Sequence, residues 1–466
     1  MSERPSGIPP GDPVTPKLAA VGIIIRRGDD GGWQVVLGLR TRRSRFLPGA
    51  WAFIGGAVDE SDEPARRGTL KRCVSREVQE EIGLTIDAES WRDAGRRVTP
   101  PIYPVRYDTR FFLVEVPNDI ELSAEPPAPE ELEELRFVGA GRALVEWETG
   151  ESEIPPVLPP ILRLLADTRR RSVQRLASKL AEIHELEEKV PRIEFVPGLW
   201  MVPVASDTLP PATHTNVWLV GGKRFLVIDP GSSHPEEIDK VLAVVARREE
   251  EGHRPQAVFL THHHADHASG AAEVAKRLGV PLLAHAETLS RIGSPPKGVK
   301  TEPIEDGHVF DLAGISAQAL WTPGHAAGHM ILYVPEKEVA VVGDMLSGQS
   351  TILIDPEDGD MGQYMRSLRR LQDLRCRLLL PGHGIALRAR DIDHAIEHRW
   401  GREAGLLAAI DASPRAIEEI VEQAYVDVPN VPTLLKRRQA LAHLIDLERK
   451  GVVRREGESW ATAAHD

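Results

Sequence analysis

Short apolar runs, each closed by a turn signal, recur along the whole chain. Ala19–Ile25, Trp33–Leu37 and Phe111–Val116 have strand length and strand composition. In the centre, Ala257-Val258-Phe259-Leu260, the run ending at Leu320, Val341-Val342 and Leu379-Leu380 each lead directly into a polar or Gly-containing turn. Between and after such runs, apolar positions return at helical spacing. Leu162–Glu188, rich in charge, predicts one or two helices, and Asp360–Leu371 predicts a loop followed by an amphipathic helix. The Pro- and Glu-rich stretch Ala124–Glu134 predicts an exposed connection. Near the end, Ser413 followed by Pro414 predicts a helix start. Pro414–Ala424 and Leu434–Lys450 then predict a short and a longer helix, and Gly451–Trp460 a hairpin.

A chain of 466 residues exceeds one ordinary core. The pattern divides it into a polar, Pro-rich and disordered lead (1–17), a first fold (18–166), a helical linker (167–189), a central fold of alternating strands and helices (190–400) and a C-terminal fold (401–466). Apolar residues at 41% and charged residues at 27% are the proportions of a soluble globular protein. No apolar run approaches the roughly 18 residues of a membrane span, and the start carries no secretory h-region. Two cysteines, Cys73 and Cys376, fall in different folds and fit a reducing compartment, so a cytoplasmic location is expected. A net charge of −13 argues against non-specific binding to polyanions.

The densest chemistry is His262-His263-His264-Ala265-Asp266-His267, an H-x-H-x-D-H pattern opening a loop at a strand end. Imidazole nitrogen and carboxylate oxygen are the ligands that borderline metals such as zinc accept. Further downstream, Thr322-Pro323-Gly324-His325, Val342-Gly343-Asp344 and Pro381-Gly382-His383-Gly384 each place a ligand type where an apolar run meets a glycine turn. In that order the segments resemble the metallo-β-lactamase superfamily, which implies a four-layer αβ/βα sandwich. The resemblance implies that His262, His264 and His325 hold one metal, that Asp266, His267 and His383 hold a second, and that Asp344 bridges them. It implies two zinc ions, or manganese or iron, at roughly 3.5–4 Å spacing, and attack by a metal-bridged hydroxide with Asp266 orienting it. Asp229, in Val227-Ile228-Asp229-Pro230-Gly231, matches an early motif of the family and is expected to orient ligands. His263 and His329 lie outside the pattern, and His263 is expected behind the ligands or in solvent.

A second constellation lies in the first fold. Arg76-Glu77-Val78-Gln79-Glu80-Glu81-Ile82-Gly83-Leu84 places Glu77, Glu80 and Glu81 at i, i+3 and i+4, on one helix face. Carboxylates so close repel, and a hard cation such as magnesium relieves the repulsion. Preceded by Phe53-Ile54-Gly55-Gly56, the segment resembles the Nudix box, which implies an α/β/α sandwich. It also implies a magnesium or manganese site formed by Gly56, Glu77, Glu80 and Glu81, with the three glutamates catalytic. Asp62 stands where the family has a Glu, and extra residues in Ser61–Lys71 read as an insertion, as in coenzyme A diphosphatase-like relatives. The implied substrate is a nucleoside diphosphate derivative or a coenzyme A-type molecule.

The tail resembles a winged helix with its wing at Gly451–Trp460. From Thr213-His214-Thr215-Asn216 onward the chain is similar to the β-lactamase-like protein 2 group, which includes endoribonucleases acting on single-stranded RNA. Lys436, Arg437, Arg438, Arg454 and Arg455 would be the nucleic-acid contacts. From Gly401 to Asp466, nine Lys and Arg face eleven Asp and Glu, a poor balance for that role. Metal-dependent endoribonuclease activity on single-stranded RNA, fused to a Nudix-type pyrophosphohydrolase, is the leading expectation. The alternative is a glyoxalase II-like thioesterase acting on acyl-glutathione or acyl-coenzyme A beside a Nudix domain that only binds a nucleotide. No membrane partner is expected, and a homodimer stays open.

Overall fold

The computed structural model describes residues 12–44, 47–63, 68–167, 172–294 and 297–463. Most of the expected lead, residues 1–11, lies outside these. Its last residue, Lys17, already opens a strand. The chain forms two compact units, Pro13–Val202 and Pro203 onward.

The first unit is built on a mixed sheet. Its strands are β1 (Lys17–Arg27), β2 (Trp33–Arg40), β3 (Trp51–Ala52), β4 (Ile54–Ala57), β5 (Arg92–Val98), β6 (Tyr107–Glu115) and β7 (Leu132–Gly139). The order is β3-β2-β1-β6-β5, with β4 also on β1 and β7 also on β2; β1 and β6 are parallel. Alternation along β1 sends Ile23 and Ile25 to one face and Ile24 to the other. Helix α1 (Thr69–Ile82) covers the Ile24 face with Cys73, Val74, Val78 and Ile82. On the Ile23 face lie α2 (Ala140–Thr149), α3 (Leu158–Asp167) and α4 (Val173–Lys189), the last through Leu176, Ala177 and Leu180. The expected α/β/α sandwich is therefore present, but α4 is no linker. Its apolar stripe is part of this core, because exposing Leu176 and Leu180 to water would forfeit the burial that orders it. The stretch read as a connection to Glu134 ends earlier: Leu132–Glu134 are strand, paired with Arg40 and Leu39.

The unit closes with β8 (Ile193–Val196) and β9 (Leu199–Ala205), a hairpin whose second strand carries the chain into the second unit. There one sheet runs β14-β13-β12-β11-β10 and the other β15-β16-β17-β18-β19. The first comprises β10 (His214–Gly221), β11 (Arg224–Ile228), β12 (Arg254–Phe259), β13 (Leu282–Ala284) and β14 (Thr301–Pro303). The second comprises β15 (Val309–Asp311), β16 (Ser316–Trp321), β17 (Met330–Val334), β18 (Val339–Gly343) and β19 (Leu378–Pro381). Residues of both parities in β18 are buried, Val339 through Val342, so both faces of that strand are covered. Helices α5 (Pro235–Glu250) and α7 (Ala271–Leu278) pack on β12, with the single turn α6 (Ala265–Ala268) between them in sequence. Helix α8 (Ala286–Arg291) follows β13. On the second sheet, α9 (Met361–Asp373) and α10 (Ala389–Ala408) pack through Tyr364, Leu368, Leu371, Ile392 and Ile396 against Leu320, Ile331, Ala340 and Val342. The layers are those of the expected sandwich.

The C-terminal fold holds β20 (Arg415–Ala416), α11 (Ile417–Ala424), α12 (Thr433–Arg449), β21 (Val453–Glu456) and β22 (Ser459–Thr462), with sheet order β20-β22-β21. The expected helix start at Ser413-Pro414 is not where the helix begins. Arg415 and Ala416 pair with Trp460 and Ser459, and this recruitment to the sheet delays α11 to Ile417. The expected division at residue 400 falls inside the continuous helix α10, and Ala442 of α12 joins the apolar cluster of α9 and α10. Both cysteines are free and buried. No described helix is long and apolar enough to cross a membrane.

Candidate metal centres

The conspicuous histidines all follow strand ends in the second unit. β12 delivers His262, His264, Asp266 and His267, β16 delivers His325, β18 delivers Asp344 and β19 delivers His383. Gly343, at φ +48, makes the turn before Asp344 in a region that favours glycine, and a Cβ there would press on Thr261 Oγ1 and His329 Nε2. Gly324, at φ +132, lies so close to the Tyr364 backbone that a Cβ has no room.

The expected ligands come together as two sets: His262, His264 and His325, and Asp266, His267 and His383. His262 Nε2 and His325 Nε2 lie 3.1 and 3.0 Å from His264 Nδ1, and His267 Nε2 lies 3.1 Å from His383 Nε2. The opposite nitrogens identify the tautomers. His325 Nδ1–H donates to Leu353 O (2.9 Å) and His383 Nδ1–H to His214 O (2.9 Å), and a carbonyl can only accept. His264 Nε2 and His267 Nδ1 face the carboxylates of Asp358 (3.0 Å) and Asp229 (2.8 Å). In the neutral imidazoles the inward nitrogens therefore present lone pairs to one another, an arrangement that repels unless a cation lies between them. Asp344 reaches both sets: Oδ1 is 3.4 Å from His267 Nε2 and 3.6 Å from His383 Nε2, and Oδ2 is 3.7 Å from His325 Nε2. Its Oδ1 is buried without a hydrogen-bond partner. The donor set, the tautomers and the orphaned oxygen fit two divalent cations.

Burial, with His264 beside it, pushes the His325 imidazole down to about 4, so it is the neutral form a metal requires. Burial likewise opposes charge on His267 and His383, but Asp344 with Asp229 and Asp266 outweighs it and holds both above the ordinary histidine value. The excess negative charge that raises them is what divalent cations neutralise.

Asp229 stands at φ +49 at the end of β11. Its Oδ1 accepts from the Thr261 backbone (2.7 Å), and its Oδ2 from Thr261 Oγ1 (2.6 Å) and His267. The Thr213–Asn216 stretch secures the far side: Asn216 Nδ2 donates to Pro381 O and Gly384 O around the His383 turn, and Thr215 Oγ1 donates to Asp266 O. His329 is wholly buried and accepts from the Asp344 backbone at 3.2 Å, so it positions that turn. His263 is buried rather than solvated, 3.3 Å from Asp358. Asp358 escaped sequence reasoning. It precedes α9 in an acidic loop with no spacing relation to the histidines, yet it fixes His264 and also meets Arg291 at 3.6 Å.

A cavity of about 430 Å³ is lined by His264, Asp266, His325, Asp344 and His383, and by residues of α10, the α11–α12 connection and α12. The five basic residues expected to meet nucleic acid do not share one face. Lys436 and Arg438 line the cavity, Arg438 being bound to Asp355. Arg437 binds Glu418 at 3.0 Å, Arg454 binds Glu456, and Arg455 lies over the Trp460 ring.

In the first unit, Glu77 and Glu81 are drawn under the sheet beside Gly56, where a Cβ would run into the Glu77 carboxylate. Glu80 parts from them: it is 57% exposed and binds Arg76 at 2.8 Å. Asp62 is buried and takes a two-point contact from Arg76 at 3.0 and 2.9 Å, so it anchors the helix. Of the expected Ser61–Lys71 insertion, residues 64–67 lie outside the described residues, and α1 has begun by Thr69. Burial, with the opposing pull of Arg76 and the push of Glu131, raises Glu77 to about 7. Burial, Glu77 and Glu131 raise Glu81 to about 8. Glu131 was not singled out from the sequence, because it lies in a loop far from the helix motif. With Arg40, Gly56 and Glu77 it lines a cavity of about 440 Å³.

Comparison with known proteins is consistent with both centres. A sequence model of the metallo-beta-lactamase superfamily matches residues 210–383, one of the NUDIX domain matches 16–158, and one of the beta-lactamase associated winged helix domain matches 416–460. The chain thus carries a region that matches the metallo-β-lactamase superfamily and, before it, one that matches the NUDIX domain. Its metallo-β-lactamase part is similar to the lactamase-like protein adaB of Aspergillus niger, with 31% identity over 43% of this chain and 59% of the relative. It is also similar to an atrochrysone carboxyl ACP thioesterase of Aspergillus fumigatus, with 31% identity over 42% of this chain and 59% of that one. The chain thus spans about three-fifths of the length of these curated relatives. A beta-lactamase domain protein from Burkholderia ambifaria shares the fold, at 21% identity and a TM-score of 0.50 over 58% of this chain and 95% of that one.

Two outcomes follow from the geometry. Replacing Asp229 by Ala frees His267 and Thr261, and should weaken divalent-metal affinity by roughly 10–100-fold in a chelator competition; unchanged affinity contradicts the positioning role. In the NUDIX domain, Glu77 and Glu81 keep their protons to higher pH folded than unfolded. Stability without metal therefore falls as pH rises from about 4.5 to about 8. Magnesium should raise the domain's melting temperature more at pH 8 than at pH 5, and Glu81→Gln should flatten the pH dependence. An equal magnesium effect at both pH values contradicts it.

Proposed function

We propose that the metallo-β-lactamase domain hydrolyses thioesters, in preference to the RNA phosphodiesters expected first from sequence. The cavity carries this reading. Its lining beside the ligands includes Ile352, Leu353, Val428, Val431 and Leu435, which suits an acyl chain. An RNA strand needs a track of cations released from their own partners, whereas Arg437, Arg438 and Arg454 are each bound to a carboxylate of this chain. The thioesterase names among the relatives support the same choice.

Bound divalent cations would supply Lewis acidity and lower the pKa of the attacking water. His262, His264 and His325 would hold one, Asp266, His267 and His383 the other, with Asp344 between. Asp266 accepts a hydrogen bond from the water and aligns it on the thioester carbonyl carbon. The C–O bond forms, the C–S bond breaks, and the products are a carboxylic acid and a thiol. A thiol leaves readily because its pKa is about 8.5. The leaving group therefore asks for no dedicated acid, unlike the alkoxide of a phosphodiester. The apolar wall keeps competing water from the carbonyl.

For the NUDIX domain, we propose magnesium-dependent cleavage of a nucleoside diphosphate derivative. Gly56, Glu77 and Glu81 would hold the cation, and Glu131 faces the same cavity. The observation that supports this is a half-buried and a buried carboxyl, Glu77 and Glu81, raised to about 7 and about 8 beside a cavity. Glu80, 57% exposed where Glu77 is 12% exposed, is assigned a lesser part than the sequence pattern gave it.

The test is release of thiol from short acyl-pantetheine thioesters by zinc- or manganese-loaded protein. Asp266→Asn should lower kcat by roughly 10²–10⁴-fold. Cleavage of labelled single-stranded RNA with no thiol release overturns the thioester reading.

A further inference from the structure

The cavity has lining residues that the reaction at the metal ligands does not use. Arg399, on α10, is 2% exposed. Its Nη2 donates to Ile352 O at 2.5 Å, its guanidinium lies 5.1 Å from the Tyr364 ring centroid, and its Nη1 is buried with no partner. Among the described residues no carboxylate stands within ion-pair distance of it. Gln439, on α12, accepts from the Ile354 backbone at 3.0 Å through Oε1, while its Nε2 is buried and unpartnered. The Tyr425 hydroxyl, after α11, is likewise buried and unpartnered. These three, with Lys436, line the same cavity as the metal ligands.

Residues with unmet donors, from three separate elements, thus line one cavity. Water could satisfy the hydrogen bonds but not the buried charge of Arg399. Of the carboxylates that share the lining, Asp355 is engaged by Arg438, Asp358 by His264, His263 and Arg291, and none, Asp207 and Glu357 included, forms an ion pair with Arg399 among the described residues. Arg402 is neutralised by a two-point contact with Asp427. What is missing is a compact anion with several acceptor oxygens, and a phosphate group has that chemistry.

We propose that Arg399, Tyr425, Lys436 and Gln439 form a phosphate-binding subsite for the thiol half of the substrate. This rests on the thioester reading and narrows it. The substrate class is then an acyl thioester of a phosphorylated thiol, of the phosphopantetheine type, with the phosphate held by Arg399. One buried guanidinium, with a lysine and two neutral donors beside it, recognises a single phosphate, where an RNA strand presents many.

The test is binding of pantetheine and phosphopantetheine to the metal-loaded full chain by calorimetry. Both carry the same thiol, so the ratio of their affinities isolates the phosphate. Phosphopantetheine should bind about tenfold tighter or more. Arg399→Gln, Lys436→Met and Tyr425→Phe should each reduce that ratio. The Tyr425→Phe and Lys436→Met variants keep the test decisive if Arg399→Gln fails to fold. Equal affinities in the unmodified protein, or a ratio unmoved in the folded variants, overturn the subsite. A strong ratio that these variants reduce, in a protein that hydrolyses no thioester, upholds the subsite and removes the reaction assigned to it.

Discussion

Imidazole lone pairs directed at one another across about 3 Å, deep in a protein, are a state that only a cation makes comfortable. In this chain the arrangement is enforced from outside. Backbone carbonyls of Leu353 and His214 take the outer protons of His325 and His383, and the carboxylates of Asp358 and Asp229 face the outer nitrogens of His264 and His267. Each imidazole is left one orientation and one tautomer. The rest of the second unit serves this constraint: four strands end within reach of one point, and glycines at 324 and 343 give the turns the conformations that ordinary residues avoid.

The positioning network extends across both sheets. Asp229 leaves β11 in a left-handed conformation, which short polar side chains tolerate, and thereby ties Thr261 and His267 to one carboxylate. Asn216 on β10 reaches over to the turn after β19 and holds the loop that carries His383. Neither side chain touches the space where chemistry is assigned, yet both decide which way a ligand nitrogen points. The winged-helix fold closes the opposite side. α12 lines the same cavity as His264, Asp266, His325, Asp344 and His383, and the unmet amide donor of Gln439 gives that cleft a polarity those side chains alone would not.

Much of this was legible in the chain. H-x-H-x-D-H and the single ligands at later strand ends were readable because each coincides with a change from apolar run to glycine turn, a local signal. Asp358, Glu131 and Arg399 were not, because they reach their sites through tertiary contacts with no sequence spacing to the motif. Helix periodicity correctly marked α4 but not its role, since an amphipathic stripe looks alike on a linker and on a packed helix. Ser413-Pro414 misled for a related reason: backbone pairing of Arg415 and Ala416 with the wing outweighed a local helix-start preference. The helix spacing of Glu77, Glu80 and Glu81 said that they share a face, but not that Glu80 would stand exposed while Arg76 reaches both it and Glu77.

The central claim is that the lone-pair geometry of the second unit holds two divalent cations at once. It is tested most directly by anomalous X-ray diffraction at the metal edge on crystals of the zinc-loaded protein. The account predicts two peaks, one among His262, His264 and His325 and one among Asp266, His267 and His383, with Asp344 touching both. A single peak, or peaks away from these side chains, would contradict it.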